Sequence, residues 1–209
     1  MSFRIRPIIL SYEAVPSIDY VPALSHALFG ESGVAKWCHA YGFDLDWQLI
    51  ERHAYTGPDY RTAYNPWYDV WKFLALPPED WALALLVDWQ EREAAGWGGT
   101  PLAIAGKFTA DRLLSGGTPD AIADDWLAEG ILCHEVGHVI GYGHDTTREN
   151  NIMGVGMWRY PNCGPSQAMI DTAAAATERA TEVALEPARL MGLLNVRAYA
   201  LPEPCPRTP

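Results

Sequence analysis

The stretch from Ile131 to Asp145 (ILCHEVGHVIGYGHD) restricts this chain more than any other. His134 and His138 are four residues apart. On a helix that spacing puts both imidazoles on one face, one turn apart. Glu135 sits between them, rotated by about 100° on the same turn. Gly141 follows three residues after His138, and His144 three after that. Glycine tolerates positive φ, so it can end the helix and turn the chain back. The third imidazole then reaches the first two. Three neutral imidazoles suit Zn²⁺ and leave a fourth position for water. A carboxylate beside that water is a general base. The two-histidine core with its glutamate arises by chance in roughly one of several thousand windows, and the glycine and third histidine in register lower that by a further factor of about several hundred.

The run H-E-V-G-H-V-I-G-Y-G-H-D at 134–145 resembles the extended zinc signature of the metzincin clan of metallopeptidases. Downstream, N-N-I-M-G at 150–154 resembles the clan's Met-turn, with Met153 lying beneath the histidines. A soft, adaptable side chain there packs under the ligands without binding metal. The spacing from His144 to Met153 is like that of matrixins, whereas Asp145 after the third histidine is more like the adamalysin branch. The motif resemblance spans residues 131–154.

The resemblance implies an α+β catalytic domain. Its parts are a twisted, mostly parallel sheet with an edge strand, an active-site helix, the Met-turn and a C-terminal helix. The domain is single, with an upper lobe over about 1–144 and a lower lobe over about 145–209 around a zinc-floored cleft. Matrixins carry a further strand before the active-site helix, and none is legible between Asp111 and Asp120, so a pared-down member fits better. The implied activity is that of a zinc endopeptidase. His134, His138 and His144 hold one Zn²⁺, and Glu135 acts as base. An extended substrate adds to a sheet edge at 102–108. Asp145 is a candidate hydrogen-bond acceptor behind the ligands. Trp97, Met157, Trp158 and Tyr160 are candidates for the substrate pocket. Astacins and serralysins place a zinc-binding tyrosine two residues after the methionine; here that position is Val155, which has no polar atom, so three histidines and water are expected.

Composition narrows the remaining choices. The chain has 209 residues, enough for one domain with a sizeable core. Its net charge is −11, from 15 basic and 26 acidic residues, which disfavours nucleic acid and anionic membranes as partners. No apolar run approaches transmembrane length. The N-terminus, MSFRIRPIIL, does not read as a signal peptide, so the compartment stays open, with secretion following if this is a mature form. The expected partner is a protein or peptide substrate, and the expected state a monomer. The acidic residues form no D-x-D-x-D-G loop, so structural calcium is not supported. His26, His39 and His53 lack ligand spacing and read as structural or exposed.

Hydrophobic periodicity predicts a strand over 3–12, with Pro7 a reservation for a central position. It predicts an amphipathic helix over 19–41 interrupted at Gly30–Gly33. Residues 43–53 alternate as a second strand. A long loop over 55–80 carries a short helix near Trp67 to Leu74. Strands follow over 81–89 and 102–110, separated by a turn-rich connector at 94–101. Asp120 or Asp124 caps the helix that runs into the zinc motif. A last helix runs from about Ser166 to Leu194, before a proline-rich tail.

Two rival classes stand beside the peptidase: a zinc-binding module of this fold that engages a partner with little proteolysis, and a zinc hydrolase of a non-peptide amide. The intact Glu135 argues against the first, and profiling on peptide and non-peptide substrates separates the second. Cys38, Cys133, Cys163 and Cys205 contain no C-x-x-C pair, and sequence does not choose among three disulfide pairings or free thiols. Cys163 follows the methionine turn and Cys205 lies in a tail that needs anchoring. In an oxidising compartment a Cys163–Cys205 disulfide is expected. Non-reducing peptide mapping of oxidised protein should recover that pair, and two free thiols there would count against it.

Overall fold

The structure is a computed structural model. It describes residues 4–16, 20–30, 33–40, 43, 45–90, 96–115, 121–144 and 153, with only the backbone described for 121–127. The element order is β1 (Arg4–Tyr12), α1 (Tyr20–Phe29), α2 (Val34–Ala40), β2 (Asp46–Trp47), β3 (Glu51–Tyr55), α3 (Trp67–Leu74), β4 (Asp80–Leu86), β5 (Gly96–Gly99), β6 (Leu102–Ala105), α4 (Lys107–Leu114) and α5 (Ala121–Ile140). One sheet runs β2-β1-β4-β6-β5, and β3 also pairs with β1. Every pairing is parallel except β5 with β6.

A strand buried on both faces needs apolar residues throughout, not at alternate positions. Strand β4 (DWALALL) meets that requirement from Trp81 onward, and every residue in it is buried, Asp80 beside Arg4 and Arg6. Ile5, Ile9, Leu83, Leu85, Ala103 and Ala105 face a core shared with Leu24, Leu28, Trp37, Ala110, Ile131 and Val136, so α1, α2, α4 and α5 cover that face. Ile8, Leu10, Ala84, Leu86, Leu102 and Ile104 face the opposite way, against Tyr55, Tyr60, Val70 and Trp89. Each fully buried Leu or Ile side chain contributes about 1.5–3 kcal/mol. The long loop is held by its polar atoms. Tyr60 Oη donates to Asp88 at 2.6 Å, and Trp89 Nε1 to the Ala63 carbonyl at 2.9 Å. Among the described residues no helix is long and apolar enough to cross a membrane.

The expected strand over 43–53 is instead two short strands, β2 and β3, on the same side of β1. Pro7 explains the break. Gln48 N–H donates to the Ile5 carbonyl, so odd positions of β1 address this side. Pro7 has no N–H to offer, and it falls between the partners of β2 and those of β3. A proline therefore occupies a central strand at the one place where no neighbour needs its donor.

Two further expectations are corrected. The connector at 94–101 contains strand β5, antiparallel to β6 through the cis Thr100–Pro101 peptide. The strand expected over 102–110 ends at Ala105, and Lys107–Leu114 is helix α4. Its first turn is secured by Lys107 N–H to the Trp89 carbonyl and by Lys107 Nζ to Asp111 at 2.6 Å, an i,i+4 pair. The interrupted helix α1–α2 and the helix α3 fall where periodicity places them.

Arg6 on β1 grips Glu51 on β3 in a two-bond fork, at 2.7 and 2.8 Å, with His53 also on Glu51 at 2.9 Å. The Arg6 hydrogen bond holds the Glu51 carboxyl down, from 4.5 to about 2. A depressed carboxylate stabilises the fold above its unfolded pKa and loses that stabilisation as pH falls through the folded one. Urea titrations should therefore show Glu51→Gln less stable by about 1–2 kcal/mol at pH 7, with the gap closing between about pH 5 and pH 2. A gap that persists unchanged at pH 2 would contradict this.

Candidate metal centre

Helix α5 ends as its glycine requires. Gly141 has φ of 113°, a conformation costly for any residue with a Cβ. Its N–H bonds the His138 carbonyl, and Tyr142 N–H bonds the Gly137 carbonyl at 2.9 Å. These are the two bonds of a Schellman cap. Thr100 Oγ1 donates to the Val139 carbonyl at 2.7 Å, satisfying another carbonyl that the helix end leaves open. The cap reverses the chain and returns His144 to the helix.

The three Nε2 atoms converge. His134 and His144 are 3.2 Å apart, His138 and His134 are 3.1 Å apart, and His138 and His144 are 3.1 Å apart. Tetrahedral zinc with Zn–N of about 2.0–2.1 Å separates nitrogen ligands by about 3.3–3.4 Å. The triangle therefore fits a zinc ion with small outward shifts. His138 Nδ1 lies 2.8 Å from the Tyr142 carbonyl, which can only accept. Its proton is thus on Nδ1, and the Nε2 lone pair faces the other two rings. Burial pulls the His138 pKa down to about 4, more than the Tyr142 carbonyl raises it. Burial lowers that of His144 as well. Neutral imidazoles are the form that ligates metal.

Glu135 and His134 are each only 3% exposed. Burial pushes the Glu135 carboxyl well above the usual carboxylate range. Its Oε2 is buried with no hydrogen-bond partner among the described residues. An unpartnered buried carboxylate oxygen is costly in a purely structural role. It is accounted for where a cation and a polar reactant complete the site.

Glycines provide the room for this constellation. A Cβ on Gly96 would come within 2.6 Å of Glu135 Oε1. A Cβ on Gly98 would strike His138, coming within 2.8 Å of its Cδ2, and would lie 2.9 Å from the Glu135 carbonyl oxygen. The Glu135–His138 turn thus packs directly on the backbone of β5. On the other side of the helix, the space beside Gly137 is filled by the Met153 sulfur, and Met153 is fully buried. Sequence reasoning missed Gly96, Gly98 and Thr100. The G-W-G-G run reads as a turn, and its signal as a strand lies only in the spacing of glycines at alternate positions.

Among the expected site residues, His134, Glu135, His138, His144 and Met153 are brought together. Trp97 lies between Gly96 and Gly98, so its side chain takes the opposite face of β5 and packs toward the core around Ile104. Asp145, Met157, Trp158, Tyr160, Val155, Cys163, Cys205 and the last helix lie outside the described residues. Cys38 and Cys133 are buried free thiols, and His53 is tied to Glu51.

Compared by sequence, the chain matches no family model and no curated protein. Its architecture resembles that of solved structures. Archaemetzincin from Methanopyrus kandleri aligns over 84% of this chain and 95% of its own, at 14% identity and a TM-score of 0.54. Archaemetzincin from Archaeoglobus fulgidus aligns over 82% and 98%, at 17% identity and a TM-score of 0.45. A zinc-dependent peptidase from Methanocorpusculum labreanum aligns over 78% and 92%, at 16% identity and a TM-score of 0.37. The fold accordingly resembles that of the Methanopyrus kandleri archaemetzincin, a mixed α/β arrangement with a mostly parallel sheet.

The glycine contacts make a paired test. Gly98→Ala should lower stability by about 1–3 kcal/mol through overpacking against α5 and weaken zinc binding. Gly99→Ala meets only Trp67, at 4.0 Å, and should be close to neutral. Denaturant midpoints and zinc titrations of the two variants check this; equal effects would refute the close packing.

Proposed function

We propose that this chain is a zinc-dependent endopeptidase of the metzincin clan. The observation that carries the reading is the convergence of three Nε2 atoms within 3.2 Å on the helix that also carries Glu135, whose buried Oε2 has no hydrogen-bond partner among the described residues. The solved archaemetzincin that shares its architecture favours the same chemistry. His134, His138 and His144 would hold one Zn²⁺. When bound, the ion supplies Lewis acidity, lowering the pKa of water toward about 7 and polarising a carbonyl.

The chain's own residues do the rest. Glu135 takes a proton from the attacking water as the oxygen–carbon bond forms. It hands that proton to the amide nitrogen as the carbon–nitrogen bond breaks, so that a carboxylic acid and an amine leave. His138 is kept in its ligating tautomer by the Tyr142 carbonyl. Met153 fills the floor beneath Gly137, the part played by a Met-turn methionine.

The substrate strand belongs on a different element from the one expected. Strand β6, at 102–105, has neighbours on both sides, β4 and β5, and offers no edge. The sheet ends at β5, whose outer edge is unpaired among the described residues. An extended peptide adding there would run over Glu135 and His138 without its ends being enclosed by β5, which favours internal cleavage of longer chains.

Glu135→Gln preserves shape and removes the base. Elemental analysis should find one zinc per chain in both wild type and variant. Peptide hydrolysis should fall by about 10²–10⁴ in the variant. Unchanged hydrolysis would remove Glu135 from the role of base, and a chain that cannot be loaded with zinc would defeat the reading altogether.

A further inference from the structure

The two faces of β5 are unlike. Gly96 and Gly98 lie on the face that packs on Glu135 and His138. Trp97 stands on the other face. There its ring meets Tyr64, with centroids 5.8 Å apart and planes at 62°. Tyr64 is 59% exposed, and Trp97 is partly buried. The support behind them is rigid. Trp67 Nε1 donates to the Leu102 carbonyl at 2.6 Å, and the Trp67 ring stacks on Trp71 at 6.0 Å.

Backbone direction links this aromatic pair to the sheet edge. Ala82 N–H donates to the Pro101 carbonyl, so odd positions of that strand address β4 and even ones address β5. Ile104 is the residue opposite Trp97. Trp97 therefore directs its N–H and carbonyl toward β6, and Gly96 and Gly98 turn theirs outward. A peptide pairing with that edge bonds to the two glycines. Residues directly opposite one another share a face of the sheet. The peptide residue opposite Trp97 thus points its side chain at Trp97 and Tyr64, while its two neighbours point theirs toward Glu135 and His138.

We propose that Trp97 and Tyr64 select an aromatic or large aliphatic side chain at the one substrate position that pairs opposite Trp97. This rests on the peptidase reading above. The occupant is the substrate strand itself, because the aromatic pair is continuous with the edge that lies over the metal-binding histidines. Aromatic cross-strand pairs contribute up to about fivefold in an equilibrium, roughly 1 kcal/mol. A residue with a small polar side chain at that position forgoes this contact.

The test uses the full chain loaded with zinc. Peptides differing only by Phe or Ala at each position around the cleaved bond compete in one reaction. Wild type should prefer Phe about fivefold at a single position. Tyr64→Ala and Trp97→Val should each bring that ratio toward one and leave the ratios at adjacent positions alone. The ratio is internal to each reaction, so partial loss of folded enzyme does not alter it. Tyr64→Ala, at an exposed position, keeps the test open should Trp97→Val fail to fold. Anisotropy of labelled Phe and Ala peptides on zinc-loaded Glu135→Gln protein should reproduce the preference without turnover. Cleavage with unaltered ratios in both variants overturns this proposal and spares the peptidase reading. Phe-peptide binding that uncleaved substrate does not displace would mark a separate docking surface and likewise overturns it. Absence of both cleavage and peptide binding in zinc-loaded protein defeats both.

Discussion

The contact between the His134–His138 turn of α5 and the bare backbone of β5 is the constraint on which the rest depends. A helix normally lies about 10 Å from a sheet, held off by side chains on both surfaces. Here Gly96 and Gly98 remove those side chains, and Glu135 and His138 occupy the space. The close approach buries Glu135 and half-buries His138 beside β5, an edge of the sheet that is unpaired among the described residues. Thr100 then ties the β5–β6 turn to the Val139 carbonyl, so edge strand and helix end are fastened to each other. Side chains positioned by packed backbone need less reorganisation on binding than those carried on mobile loops.

The same helix is gripped from its other side. Gly137 admits the Met153 sulfur, and Tyr142 packs beside it as the cap closes. Two glycines inside α5, Gly130 and Gly137, cost helix propensity of about 1 kcal/mol each relative to alanine. The cost at Gly137 has visible compensation. Gly137 makes room for the Met153 sulfur, and Gly141 permits the reversal that delivers His144. The site is therefore built from positions where side chains are withheld as much as from those that supply chemistry.

The sheet follows a different logic from the site. Its parallel core is covered on both faces, which demands the continuous apolar runs of β4 and β6. Its irregularities have local causes. Pro7 splits the neighbouring segment into β2 and β3 because a missing donor cannot be paired. The hydrogen-bonded cluster of Arg6, Glu51 and His53 then fastens β3 to β1.

The sequence by itself determined that three histidines and a glutamate share one site, and where the helix ends, because each depends on spacing along one helix or on the conformational freedom of one glycine. His134 and His138 share a face through the 3.6-residue turn, and Gly141 reverses the chain through a φ that other residues avoid. The short helix from Trp67 and the break between α1 and α2 were legible for the same reason. Strand β5 was not. Its glycines signal a turn locally, and their value appears only when a helix 40 residues later packs on them, at Glu135 and His138. The end of β6 at Ala105 was hidden too, since the apolar alternation continues into a helix secured from Trp89. Which strand forms the edge, and which face Trp97 takes, depends on pairing between distant segments, and periodicity within a segment carries no record of its neighbours.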